Sequence, residues 1–95
     1  MKDFQLDELK SAYKTLSFEY KHFDSKKYLS SETRLRMIRN RLPLEYVEEF
    51  NQFLMAFTRL EMDAFDMEKM AFRSILANIK TDIGEEEQAR KKAAA

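Results

Sequence analysis

A single glycine, Gly84, and a single proline, Pro43, punctuate the whole 95-residue chain. Hairpins, phosphate-cradling loops and β-sandwiches need such residues at nearly every reversal, because their turns demand backbone angles that other side chains resist. The chain is therefore all-α, and the question becomes where its helices start and stop. Hydrophobic residues make up 44% of it, with eight Phe and four Tyr. That is enough apolar material for a small core rather than a disordered tail. Its length confines it to one domain.

From Phe4 onward the apolar residues fall at Leu6, Leu9, Tyr13, Leu16, Tyr20 and Phe23, mostly in alternating steps of three and four. This is the seam of a helix lying along another helix, and it predicts a first helix over about 4–23. Asp3 or Asp7 suits its positive end, and Asp24-Ser25 marks its end. Ser30-Ser31-Glu32 offers a cap for a second helix over 31–42, whose Leu35, Ile38 and Leu42 share one side. Pro43 closes it, since its ring disfavours helical geometry at Leu42 and suits the first turn of a new helix.

From 44 to 83 nothing compels a stop. Forty unbroken residues would reach roughly 60 Å, beyond the roughly 35 Å diameter of a compact domain this size. Either the helix breaks near 61–66 to give a small four-helix bundle, or it stays long and a second copy covers it. Val47, Phe50, Phe53, Leu54, Phe57 and Leu60 share one face, and Phe65, Phe72, Ile75, Leu76, Ile79 and Ile83 share another, rotated by several tens of degrees. Leu54, Phe65 and Leu76 recur at intervals of eleven, so the pattern is not a heptad zipper. Met55, Met62, Met67 and Met70 fall outside both stripes and widen the apolar surface. That width favours a homodimer formed through the long helix, against the simpler alternative that methionine fills gaps in a monomer.

The candidate chemistry is thin. Glu19-x-x-His22 has the spacing of a carboxylate-bridged metal site. It lacks a second copy within the chain, and Tyr20 and Phe23 hold the core-facing seam instead. Glu61, Asp63, Asp66 and Glu68 form an acidic cluster without the glycine turn of a calcium loop. Glu61 and Glu68 interrupt an apolar stripe, and burial there would require arginine partners. No serine has a plausible base and cysteine is absent, so neither a catalytic residue nor a cofactor or metal site is expected.

Residues 1–42 carry ten basic and six acidic side chains, and residues 43–95 carry seven and eleven, so a +4 half faces a −4 half in a chain of zero net charge. Arg34, Arg36, Arg39 and Arg41 crowd the second helix. Two uses follow from this asymmetry. The arginines pair with the acidic flanks of the third helix, or they touch the phosphates of a nucleic acid as a basic recognition helix does. The near-neutral pI of about 6.6 favours the first, because nucleic-acid-binding domains are ordinarily basic.

Charges at Lys2, Asp3, Asp7, Glu8, Lys10, Lys14 and Glu19 leave no signal-peptide core, and no stretch is long enough to span a membrane. Residues 1–84 are expected to form one helical domain, with 85–95 a mobile charged tail whose last three alanines, 93–95, are either a remnant of an expression vector or a natural alanine-rich helix end. The sequence thus predicts a cytoplasmic helical protein–protein interaction module without catalytic activity: a regulator, adaptor, inhibitor or assembly chaperone, homodimeric, and binding another protein through Met55, Met62, Met67 and Met70. The alternative is a nucleic-acid-binding regulator that uses Arg34, Arg36, Arg39 and Arg41.

Overall fold

The computed structural model describes residues 5–94, which form four helices and one short 3-10 turn. Helix α1 spans Leu6–Lys21 and is followed by the 3-10 turn Phe23–Lys26; α2 spans Ser31–Arg41, α3 Leu44–Thr58 and α4 Ala64–Ala94. No strand occurs among the described residues. Asp3, Phe4 and Ala95, to which the sequence assigned roles, lie outside that range.

Local chemistry accounts for the boundaries. Asp7 and Glu8 sit in the first turn of α1 and Lys21 in its last, each matched to the helix dipole. Ser30 caps α2 by accepting a 3.2 Å hydrogen bond from the Thr33 amide, satisfying a donor that the helix cannot. Leu42 turns extended and Pro43 precedes α3 as its N-cap residue.

The expected stretch 44–83 is broken, and the break falls at residues 59–63 rather than 61–66. Glu61 adopts a positive φ of 53°, which reverses the chain, and Asp63 then starts α4. Its side chain accepts from the Phe65 amide at 2.8 Å and its carbonyl from the Met67 amide at 3.0 Å. The two apolar stripes separated by several tens of degrees thus belong to two helices, and no single long helix forms.

At the other end α4 continues past Gly84 to Ala94, well beyond the end of the apolar stripe at Ile83. A Glu86–Arg90 pair one turn apart at 3.1 Å supports this extension, as does a 3.6 Å contact from Lys10 of α1 to Glu87.

Helix α4 is the spine, and its 31 residues account for the 49 Å long axis of the molecule. Helix α1 runs antiparallel along it, from Lys10 beside Glu87 to Tyr20 edge-on to Phe72 at 5.4 Å. Helix α3 does the same on another flank, where Tyr46 donates to Asp82 and Asn78 donates to Glu49, each at 2.5 Å. Leu9, Leu16, Phe23, Tyr46, Phe50, Phe72, Ile75 and Ile79 make one continuous buried core between them. Helix α2 instead rests on α4 near Glu68 and leaves a gap toward α3.

Candidate functional site

That gap is a concavity that the chain builds from three helices. Its floor is ionic. Arg34 on α2 is 6% exposed and Glu68 on α4 is 2% exposed. The Arg34 Nε donates to Glu68 Oε2 at 2.5 Å, the Ser31 hydroxyl donates to Glu68 Oε1, and Arg34 Nη1 donates to the Leu29 carbonyl. The guanidinium also lies 5.1 Å from the Phe65 ring centroid, a cation–π distance. A buried charge pair is tolerable only when other partners help to satisfy it, and here the Ser31 hydroxyl serves the carboxylate and the Leu29 carbonyl the guanidinium.

Above this floor lies a cleft of about 400 Å³. Leu35 of α2, Leu54 and Met55 of α3, and Ala64 and Met67 of α4 supply apolar walls, with Arg39 and Thr58 at its sides. Asn51 also lines it, and its Oδ1 is buried yet accepts no hydrogen bond. Leaving such an acceptor unpaired costs roughly 1–3 kcal/mol, so it marks a place that folding alone leaves unfinished.

The four methionines do not share one surface. Met55, 71% exposed, and Met67 face the cleft. Met62 and Met70 line a separate hollow of about 220 Å³ with Tyr20, Asp66, Lys69 and Arg73. Beside that hollow Lys69 donates to Asp24 at 2.7 Å. This hydrogen bond holds the Asp24 carboxyl below its ordinary pKa and lifts that of the Lys69 ammonium.

The four arginines part company too. Arg34 is committed to Glu68 and withdrawn from the surface, which removes it from any phosphate-contacting set. Arg36 pairs with Glu32 at 2.7 Å along its own helix, and Arg41 with Glu19 of α1 at 3.2 Å. Of the four, only Arg39 is without an ion pair among the described residues. The pairing of Arg34 with Glu68 is the arrangement expected of an acidic residue that interrupts an apolar stripe. Glu61 sits in the exposed turn instead.

Glu19 and His22 do not converge. Glu19 meets Arg41, while the exposed His22 ring stacks on Phe18 at 4.4 Å with Nδ1 3.0 Å from the Phe18 carbonyl. Among the described residues no three His, Asp or Glu side chains gather as metal ligands would. Tyr46 is fully buried, and burial first, then its bond to Asp82, raises its phenol pKa far above normal. It acts as a neutral hydrogen-bond donor that ties α3 to α4.

Sequence reasoning missed Ser31, Leu35, Asn51 and Leu54 as cleft residues. A signal for Asn51 was present, since Leu44, Glu48, Asn51, Met55 and Thr58 recur at steps of four and three, a second seam beside the core stripe. No helix of the described residues is long and apolar enough to cross a membrane. No protein-family model, curated protein or solved structure matches this chain.

Proposed function

We propose that the chain is a small cytoplasmic protein–protein interaction module, a regulator, adaptor, inhibitor or assembly chaperone without catalytic activity, and that the cleft between α2, α3 and α4 is its contact surface. The observation that carries this reading is the combination within that cleft of apolar walls with an unsatisfied acceptor. Leu35, Leu54, Met55 and Met67 offer adaptable apolar area, and Asn51, whose buried Oδ1 a turn of the amide brings outward, offers a polar anchor. Interaction surfaces combine these two things, methionine and leucine for area and a few polar groups for register.

Nucleic-acid binding has less support, because three of the four arginines in α2 are already held by carboxylates and the net charge is zero. Binding to phosphate would first have to break those pairs.

A photo-crosslinking amino acid placed at position 55 tests the reading in living cells. It is expected to trap discrete protein adducts that the same group at position 36, on the exposed side of α2, does not form. Equal, diffuse labelling from both positions would remove the cleft as a contact surface. Fluorescence anisotropy with short duplex DNA and RNA, read at about 50 and 200 mM salt, is expected to show no binding. Steep salt-sensitive binding that is lost on Arg39→Glu would put the basic helix in its place.

A further inference from the structure

We propose that the occupant of the cleft is a second copy of this chain, joined through an antiparallel crossing of α3 on α3 about a two-fold axis at Asn51. The proposal rests on the reading of the cleft as a protein-contact surface and names what fills it. Three observations carry it.

First, α3 has two faces. Tyr46 and Phe50 are buried against α4, whereas Leu44 is 85% exposed and Met55 71%. At roughly 100° per residue, Leu44, Glu48, Asn51, Met55 and Thr58 fall within a span of about 80°. Among the described residues nothing covers this second seam, whose residues are exposed apart from the half-buried Asn51. Its length of about 21 Å suits one helix crossing another.

Second, the seam is symmetric about its middle. Asn51 is equidistant in sequence from Leu44 and Thr58, and within one residue of equidistant from Glu48 and Met55. Two antiparallel copies that cross at Asn51 therefore set Leu44 against the partner's Thr58 and Glu48 beside the partner's Met55. A two-fold interface must be self-complementary in this sense. At the crossing, Asn51 meets the partner's Asn51. A turn about the terminal side-chain bond lets each amide donate to the other's Oδ1, which supplies the bond that the acceptor lacks in one copy. A single asparagine in an apolar helix seam fixes register in this way elsewhere in proteins.

Third, the charges match. The side chains of Glu48 and Arg39 make no ion pair or hydrogen bond among the described residues. Arg39 and Met55 line the same hollow. A Glu48 that arrives beside the partner's Met55 therefore arrives beside the partner's Arg39, and the two-fold makes this pair twice. A second copy brings the apolar side chains of Leu44 and Met55, a donor for Asn51 and an anion for Arg39.

The chain has no cysteine, so any disulfide formed by a single-cysteine variant is intermolecular. Under a glutathione redox buffer Asn51→Cys is expected to give a covalent dimer at least tenfold faster than Arg36→Cys, because the axis brings its two copies together. Sedimentation equilibrium of the unaltered protein over roughly 5 to 500 µM is expected to show a monomer–dimer equilibrium, as befits an interface of modest area. Glu48→Arg and Arg39→Glu should each weaken dimerisation about tenfold, and the double exchange should restore it.

A monomer throughout that range, or equal disulfide rates at positions 51 and 36, overturns the proposal. A dimer that is indifferent to both single charge reversals also overturns it, since its interface then lies elsewhere. The unaltered protein gives its answer even if a variant fails to fold. A monomer that still forms discrete adducts with another protein from position 55 would leave the interaction reading standing and remove only the second copy.

Discussion

Helices α1 and α2 both pack on α4, but only α2 adds a buried ion pair to its apolar contact. Helix α1 lies along the spine through Leu9, Leu16, Tyr20 and the adjoining Phe23, with rings meeting edge to face and no buried charge. Helix α2 also buries Ile38 in that core, but it is fixed beside Glu68 by an ion pair whose ends are almost wholly removed from water. Apolar contact is roughly proportional to area and tolerant of small shifts. A desolvated ion pair holds one geometry and penalises every other, because a lost partner leaves a bare charge behind. The apolar side therefore supplies stability, and the ionic side fixes where α2 stands and so keeps the cleft between α2 and α3 open.

Substitutions on the two sides should separate these roles. The largest effect is expected from Phe72→Ala. Phe72 is fully buried and meets Tyr20 and Phe23, so truncation costs about 3–5 kcal/mol. Chemical denaturation should report that loss across the whole molecule, with α1, α3 and α4 failing together. Glu68→Ala comes next at about 3 kcal/mol, because it strands the Arg34 guanidinium. Its signature should be local: hydrogen exchange in α2 accelerates more than in α1 or α4. Replacing both members of the pair, Arg34→Met with Glu68→Leu, should recover most of the loss. If the double variant stays as unstable as Glu68→Ala, α2 is not held in the way described.

Much of this asymmetry is legible in the sequence, and the remainder is not for physical reasons. The α2 cap at Ser30, the stop at Pro43 and the need of Glu68 for an arginine all follow from local rules, and the structure places Arg34 there. The break in the 44–83 stretch was one of two open outcomes. Its placement slipped because Glu61, Asp63, Asp66 and Glu68 all read as charged interruptions of a stripe, although each does something different. Only Glu61 takes a left-handed backbone, and only Asp63 caps. The division of the methionines between two hollows was beyond sequence reasoning, since a helical wheel does not say on which sides of α4 the other helices settle. The extension of α4 past Gly84 was hidden because pairing of charges, not an apolar stripe, supports it.

Smaller effects refine the comparison at the ends of α4. Asp63→Ala should cost about 1 kcal/mol, because it removes the acceptor for the Phe65 amide. The loss should appear as faster exchange in the first turn of α4, on the wall of the cleft. Gly84→Ala should act in the opposite direction. The glycine sits within the helix, and a Cβ there would meet nothing within 4 Å, so alanine stabilises α4 by about 0.5–1 kcal/mol through the entropy it removes from the unfolded chain. Thermal unfolding should register the gain, and no change would mean that α4 beyond Ile83 contributes nothing to the folding equilibrium.

The smallest effect comes from the residue that follows Glu68. Lys69 also pairs with a carboxylate, that of Asp24, yet this pair lies in water where solvent screens it. The Asp24 carboxyl is held below its ordinary value, with the hydrogen bond from Lys69 as the leading cause. Its contribution to stability is therefore present above the unfolded pKa and fades as pH falls through the lower, folded one. The Lys69 ammonium is raised, so its share is present below the unfolded lysine pKa and fades as pH rises through the folded one. Carbon-13 titration of the Asp24 carboxyl should show the depression in the unaltered protein and its loss in Lys69→Met, while the unfolding midpoint near neutral pH hardly moves. A large drop in that midpoint would mean that the exposed pair is as structurally committed as Arg34 and Glu68, and the contrast between a buried and a solvated ion pair on neighbouring residues of α4 would fail.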